Sequence, residues 1–290
     1  MADFEVLAVE RDGHVATLWL DRPEARNAMG PAFWDELPRA VAQLSEDDAV
    51  RAVVVAARGP HFSVGLDLKA MAGMLTGSGG GGAGGGEGGT HDGPGEGRPS
   101  MAARATAARA GITRLQGSIT SVADCPKPVV AAVHGYCIGG GVDLISACDI
   151  RVASSEALFS VRETKVAIVA DLGSLQRLPP IIGQGHTAEL AYTGKDITAA
   201  RAKEIGLVNE VFADAAGAQD GARAVAAEIA ANSPLAVQGT KAVLRAAENR
   251  SVAEGLEFVA AWNAGFLPSD DLMEAISAFT AKRAPQFRGR

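Results

Sequence analysis

Two stretches of this chain put glycine at the point where a strand must turn into a helix, and chemistry is most easily placed there. The first is His61-Phe62-Ser63-Val64-Gly65-Leu66-Asp67-Leu68; the second is His134-Gly135-Tyr136-Cys137-Ile138-Gly139-Gly140-Gly141-Val142-Asp143. Glycine-rich turns at helix starts present backbone N–H groups that lack acceptors, and the helix dipole adds positive potential. Two such groups aimed at one point can hold an acyl oxygen on which negative charge grows as an enolate forms. Tight packing of a helix on a strand is the competing use of the same glycines. Three acids lie in or beyond the second turn: Asp143, Glu163 and Asp171. Singly, each has a plain structural use. Asp143 suits the first turn of a helix, Glu163 between Arg162 and Lys165 suits a surface ion pair, and Asp171 suits an N-cap. The five histidines show no catalytic spacing with serine or cysteine and read as satisfied or solvated side chains.

Positioning these residues requires strands that end at the turns. The apolar runs 51–57 (RAVVVAA) and 129–134 have the composition of strands buried on both faces. Ahead of them, residues 4–9 and 14–20 read as a hairpin around Asp12-Gly13. Residues 31–44 read as a helix with Pro31 in its first turn, in which Pro38 should cause a kink or delay the start. Residues 77–97 are glycine-dominated and cannot hold a helix or bury a core, so a flexible surface loop is expected, with a lid as the alternative. Ser100 caps a long helix with the apolar stripe Ile112, Leu115, Ile119 and Val122. Short strands follow at 149–153 and 157–160. From Asp171 onward the chain is mostly helical, with starts at Thr198, Ser233-Pro234, Ser251 with Glu254, and Ser269, and a brief strand at 207–211. Strands between helices, then a helical tail, give an α/β core with an α-helical C-terminal part.

Of the 290 residues 47% are apolar, enough for a good core, and the net charge of −7 argues against nucleic acid or an anionic membrane as partner. The three cysteines (Cys125, Cys137, Cys148) form no C-x-x-C pair, so neither a disulfide framework nor a metal site is expected. No secretory signal, spanning segment or peroxisomal tripeptide is evident, which makes cytoplasmic the default.

Several further segments, in order, carry a resemblance. Asp21-Arg22-Pro23-Glu24-Ala25-Arg26-Asn27-Ala28-Met29, FSVGLDL, PVVAAVHGYCIGGGVDLISACDIRVAS, Tyr192-Thr193-Gly194-Lys195 and Ala202-Lys203-Glu204-Ile205-Gly206-Leu207-Val208 resemble the motifs of the crotonase (enoyl-CoA hydratase/isomerase) superfamily over nearly the whole chain. The resemblance implies a spiral core of repeated ββα units, placed here at 1–197, and a helical trimerisation region at 198–290. It implies an acyl-CoA thioester as substrate with no cofactor, and homotrimers or hexamers. It implies an oxyanion hole from the N–H groups of Leu66 and Gly140, and CoA along Arg26, Ala28, Gly65, Leu68 and Lys69. Phe279 and Lys282 resemble residues that reach CoA, often from a neighbouring subunit.

Hydratases of the family place two glutamates at the positions of Asp143 and Glu163, and glycine near Asp171. GGGVD, then Glu163, then Ala170-Asp171 with Gly173, Leu175-Gln176-Arg177-Leu178-Pro179 is similar instead to the 3,5-dienoyl-CoA isomerases, as is Arg26 to Met29 followed by Phe33-Trp34. Moving a 3,5-diene to 2,4 takes a proton from C2 and returns one at C6, which one carboxylate cannot reach, so a second acid is needed. Glu163 is the expected base at C2, Asp171 the acid at C6, and Asp143 a protonated neighbour hydrogen-bonded beside Glu163. Ile138, Val142, Val166 and Ile168 are the expected apolar walls. Lys165, Ala167, Val64 and Leu66 depart from the pattern. A 2-enoyl-CoA hydratase using Asp143 and Glu163 is the alternative; a non-catalytic acyl-CoA or RNA-binding protein on the same scaffold is a third.

Overall fold

The structure, a computed structural model, describes residues 4–75, 100–248 and 250–290; the glycine-rich 77–97 stretch lies outside the described residues. The strands are β1 (Leu7–Asp12), β2 (Val15–Leu20), β3 (Ala52–Ala57), β4 (Val129–Val133), β5 (Tyr136–Ile138), β6 (Ile150–Ser154), β7 (Leu158–Ser160), β8 (Ile197–Thr198) and β9 (Glu210–Phe212). The helices are α1 (Pro31–Glu46), α2 (Ala72–Leu75), α3 (Met101–Asp124), α4 (Gly140–Ser146), α5 (Ser174–Ile182), α6 (Gln184–Thr193), α7 (Ala199–Glu204), α8 (Ala215–Ala230), α9 (Pro234–Ala247), α10 (Val252–Phe266) and α11 (Asp270–Thr280).

Six strands form one sheet in the order β1-β2-β3-β4-β6-β9, antiparallel only between β1 and β2. All six residues of β3 and all five of β4 are buried. Successive side chains leave a strand on opposite faces, so Val53, Val55 and Ala57 enter the main core while Ala52, Val54 and Ala56 enter a second core. That second core is closed by Ala222, Ala226 and Ala230 of α8, a row of small residues at intervals of four along one helix face. Each buried valine contributes on the order of 1.5–3 kcal/mol to holding these layers together.

A second sheet, β5-β7-β8, lies off the first. Only His134 and Gly135 separate β4 from β5, so the chain leaves the large sheet at the glycine turn. The segment after β3 leaves with it: Ser63 bridges to Cys137 and Leu66 bridges to Met29, both in parallel sense. The first bridge brings the two glycine turns side by side, and the second ties the earlier turn to the segment at Met29.

The caps expected at Ser100, Thr198, Ser233, Ser251 and Ser269 hold. Ser100 Oγ accepts the Ala103 N–H at 3.1 Å, and Ser251 with Glu254 forms a reciprocal capping box; such caps stabilise a helix by about 1 kcal/mol. Two expectations are refined. Of the two effects expected of Pro38 the delay is absent, since α1 starts at Pro31 and runs through to Glu46. The strand expected at 207–211 starts later, because the Leu207 and Val208 N–H groups are taken by the Ala202 carbonyl. Both β9, paired with β6, and α8, packed on β3, β4 and β6, belong to the sheet body although they lie beyond residue 197.

Candidate active site

Gly65 has φ +83°, and a Cβ there would stand 2.7 Å from the Ile138 carbonyl oxygen and 3.1 Å from the Gly140 nitrogen. Only glycine fits both the conformation and the gap. A Cβ on Gly140 would in turn meet Met29 Sδ at 2.8 Å and the Leu66 nitrogen at 3.8 Å. The Leu66 and Gly140 N–H groups are therefore neighbours. Around them the bonds are used up: Met29 N–H donates to Gly65 O at 2.8 Å, Asp67 N–H to Met29 O at 3.0 Å, and Gly139 N–H to Ser160 O at 2.9 Å. Among the hydrogen bonds of the described turns, neither the Leu66 nor the Gly140 N–H donates.

The three acids converge on the same place. Asp143, in the first turn of α4, is 1% exposed, and its Oδ1 accepts the Ser174 N–H at 2.6 Å. Burial pushes its carboxyl up to about 6, against the Ser174 hydrogen bond and the Arg177 charge, which favour the ionised form. Glu163 opens a 3-10 turn (Glu163–Val166), and its Oε1 faces Gly139, where a Cβ would lie 3.1 Å away. Its Oε2 is buried without a hydrogen-bond partner among the described residues. Burial first, then the negative charges of Asp143 and Asp171, push Glu163 up to about 7. Burial also raises Asp171, whose carbonyl accepts Gln116 Nε2 at 2.7 Å. A carboxyl near 7 with a free oxygen is equipped to take and return protons at neutral pH.

Several single-residue expectations are overturned. Asp171 does not cap α5: the N-cap is Gly173, without a side-chain bond, and it is Asp143, from another helix, that takes the Ser174 N–H. Asp143 is thus hydrogen-bonded to the Ser174 N–H rather than to Glu163, while burial raises its carboxyl in the direction of the protonated form. Glu163 pairs with neither flanking cation. Arg162 is bound to Asp196, and the Lys165 stem lies over Gly194. Of the four expected walls, Ile138 and Val142 are buried, Ile168 is half-buried and Val166 is 49% exposed.

The Met29–Leu66 bridge sets Arg26, Ala28, Gly65, Leu68 and Lys69 around the two turns. Arg26 is exposed, with its carbonyl accepting the Val64 N–H at 3.3 Å; Leu68 and Lys69 are exposed as well. Phe279, 86% exposed, and Lys282 are not drawn to the turns by α11. Its Asp271 binds Ser233 Oγ at 2.7 Å and the Arg288 N–H at 2.7 Å instead. Residues not singled out from sequence are Met29, packed on Gly140, and Gln116, Thr120, Ser174 and Arg177, which hold the segment around Asp171. A cavity of about 1260 Å³ lies elsewhere, between α9–α11 and the sheet body. Among the described residues no group of His, Cys, Asp and Glu is arranged to hold a metal ion, and no helix is long and apolar enough to cross a membrane.

Spiral fold, paired glycine turns and buried acids define a class, and the chain belongs to the enoyl-CoA hydratase/isomerase family, which it matches over residues 10–79 and 99–290. Within that family it is 42% identical over 283 residues to the peroxisomal Delta(3,5)-Delta(2,4)-dienoyl-CoA isomerase of Arabidopsis thaliana, covering 98% of this chain and 96% of that one. It is also 42% identical over 271 residues to the mitochondrial Delta(3,5)-Delta(2,4)-dienoyl-CoA isomerase of Homo sapiens, covering 93% and 77%. Among solved structures it is similar to the enoyl-CoA hydratase from Bacillus anthracis, with TM-score 0.84, 30% identity and coverage of 99% and 100%.

Proposed function

We propose that this chain is an enzyme that converts 3,5-dienoyl-CoA into 2,4-dienoyl-CoA. The observation that carries the reading is the Glu163 carboxyl, one oxygen of which is buried and unpaired, raised to about 7 beside two further raised acids. Glu163 takes the C2 proton, and the electron pair of that C–H bond moves toward the thioester oxygen. The N–H groups of Leu66 and Gly140 stabilise the resulting oxyanion. The negative charge spreads through the conjugated system to C6, where Asp171 gives its proton. Double bonds then stand at C2 and C4, and the two carboxyls reset by exchange with solvent. Protons alone move, so no cofactor is called for beyond the CoA thioester itself. Ionised Asp143 raises the proton affinity of Glu163.

Lys69 would meet a CoA phosphate, with Arg26, Ala28, Gly65 and Leu68 along the adenine and pantetheine parts. Phe279 and Lys282 would serve the site of a neighbouring copy in a trimer or hexamer, assembled through the helices of the 198–290 region. The exposed Leu244, Val252, Leu256, Met273 and Ile276 on α9–α11 support such an assembly. The cytoplasm is the compartment we propose, whereas the relatives named above are peroxisomal and mitochondrial proteins; fractionation of cells decides the point.

The deciding assay adds 3,5-dienoyl-CoA and follows absorbance of the conjugated 2,4-dienoyl thioester. Wild type should convert it rapidly, and Asp171→Asn should lose on the order of 100-fold in kcat. The likeness to structures named as enoyl-CoA hydratases favours a second reading, hydration of 2-enoyl-CoA by Asp143 and Glu163. Ready hydration, insensitive to Asp171→Asn, with no isomerisation would establish that second reading. A Glu163→Gln variant that keeps CoA affinity while losing turnover rejects a purely binding role.

A further inference from the structure

Asp171 and the Ser174 N–H that binds Asp143 sit on one short segment, and a single side chain lies across it. Gly173 has φ +123°, and a Cβ there would overlap the guanidinium of Arg177. From that position Arg177 Nη1 donates to the Leu172 carbonyl at 3.3 Å and Nη2 to Thr120 Oγ1 of α3 at 2.9 Å. The Arg177 N–H also closes the first turn of α5 onto Gly173 O at 2.9 Å. We propose that Arg177 is a positioning residue for the proton-transfer set, clamping residues 172–174 to α3 and facing Asp143 with a positive charge.

Two links follow from this placement. Mechanically, Leu172 adjoins Asp171, and Ser174 is the partner of Asp143, so the clamp fixes both acids relative to Glu163. Electrically, the guanidinium charge favours ionised Asp143, and ionised Asp143 raises Glu163. The charged groups involved come from every side. Asp143 faces from α4, Glu163 from its 3-10 turn and Asp171 from the segment itself. Around Arg177 stand Asp124 at the end of α3, Arg245 of α9 and Glu248 just beyond it, with Arg245 bound to Asp124 at 2.9 Å. The Cys137 thiol, raised by burial, is the remaining titratable neighbour of Asp143. Lysine could supply the charge but not both hydrogen bonds and the flat face over Gly173.

The inference rests on the reading that Asp143, Glu163 and Asp171 carry the proton transfer, and the test separates the two. Wild type, Arg177→Met, Arg177→Lys and Thr120→Val are compared for kcat and KM on 3,5-dienoyl-CoA. The Asp143 carboxyl is titrated by infrared difference spectroscopy, assigned with Asp143→Asn. In Arg177→Met, kcat should fall about 100-fold with KM little changed, as expected for groups displaced by about an ångström. Its Asp143 titration should rise by about one pH unit, because a neighbouring cation is gone. Arg177→Lys should restore the titration more fully than kcat. Thr120→Val, which keeps the charge and loses the anchor, should lower kcat several-fold with the titration unmoved. A folded Arg177→Met with wild-type kcat and titration overturns the proposal; if that variant does not fold, wild-type kcat in Thr120→Val overturns it. A wild type that does not isomerise defeats the functional reading alone, since the Asp143 titration still reports whether Arg177 acts.

Discussion

Glu163 and Glu274 are the same residue in opposite surroundings. Glu163 lies among β5, α4 and its own 3-10 turn, with one oxygen unpaired and two acids nearby, and is pushed up to about 7. Glu274, on the surface of α11, accepts both guanidinium nitrogens of Arg283 and the Gln286 N–H, and is pulled down to about 2. The regions differ in the same way. Around the glycine turns several polar groups are left without partners among the described residues, Glu163 Oε2 and the Leu66 and Gly140 N–H groups included, and the acids beside them are raised. Along α9–α11 charges are paired outward while large apolar side chains face solvent. One region turns its reactive groups inward; the other leaves apolar side chains exposed, as the proposed assembly would require.

The largest break in that contrast should come from exchanging the carboxyls for amides. Glu163→Gln should lower kcat by 10³-fold or more, toward the upper end of what a positioned acid–base group contributes (about 10²–10⁴), with CoA affinity retained in a calorimetric titration. Next in size is the contact face. Leu256→Asp on α10 puts a charge on an exposed apolar position, and sedimentation should show smaller species. KM for the CoA substrate should rise about tenfold if Phe279 and Lys282 serve a neighbouring copy, as the loss of a good contact implies (about 1.4 kcal/mol).

A subtler difference concerns stability against pH. Glu163 holds its proton more tightly folded than unfolded, so its contribution is fully present below the ordinary value of 4.5 and is lost as pH rises through about 7. Asp143 acts in the same direction through about 6. Glu163→Gln, which cannot ionise, should therefore melt a few degrees above wild type at pH 8, the gap closing toward pH 4.5 in scanning calorimetry. Smallest of all, Glu274→Gln should leave kcat unchanged and move Tm by about a degree or less, since exposed ion pairs contribute little. A large kcat loss there would dissolve the distinction between the two regions.

Much of the frame was legible in the sequence because it depends on short-range pattern. β3 and β4 show as unbroken apolar runs, and Ser100 and Ser251 with Glu254 show as caps. The three acids could be singled out by resemblance and chemistry together. Their partners could not. Asp143 reaches Ser174 across 31 positions, and Arg177 meets Thr120 across 57, distances at which no periodicity speaks. The 3-10 turn that carries Val166 ends at Ala167 with φ +58°, a conformation that no apolar pattern foretells. Thr198 caps α7 as its residue type predicts, but apolar pattern alone gives no sign that β9 and α8 return to the sheet.

The alanine face of α8 has a consequence for how the chain is made. Ala52, Val54 and Ala56 are synthesised early, and Val130 and Ala132 midway, yet Ala222, Ala226 and Ala230 close over them only near the end. A nascent chain shorter than about 230 residues carries that sheet face uncovered while it waits on the ribosome, and uncovered strands of this kind are prone to aggregate. Translation rate and chaperone supply across the last quarter of the message should therefore govern yield more than any change near the acids.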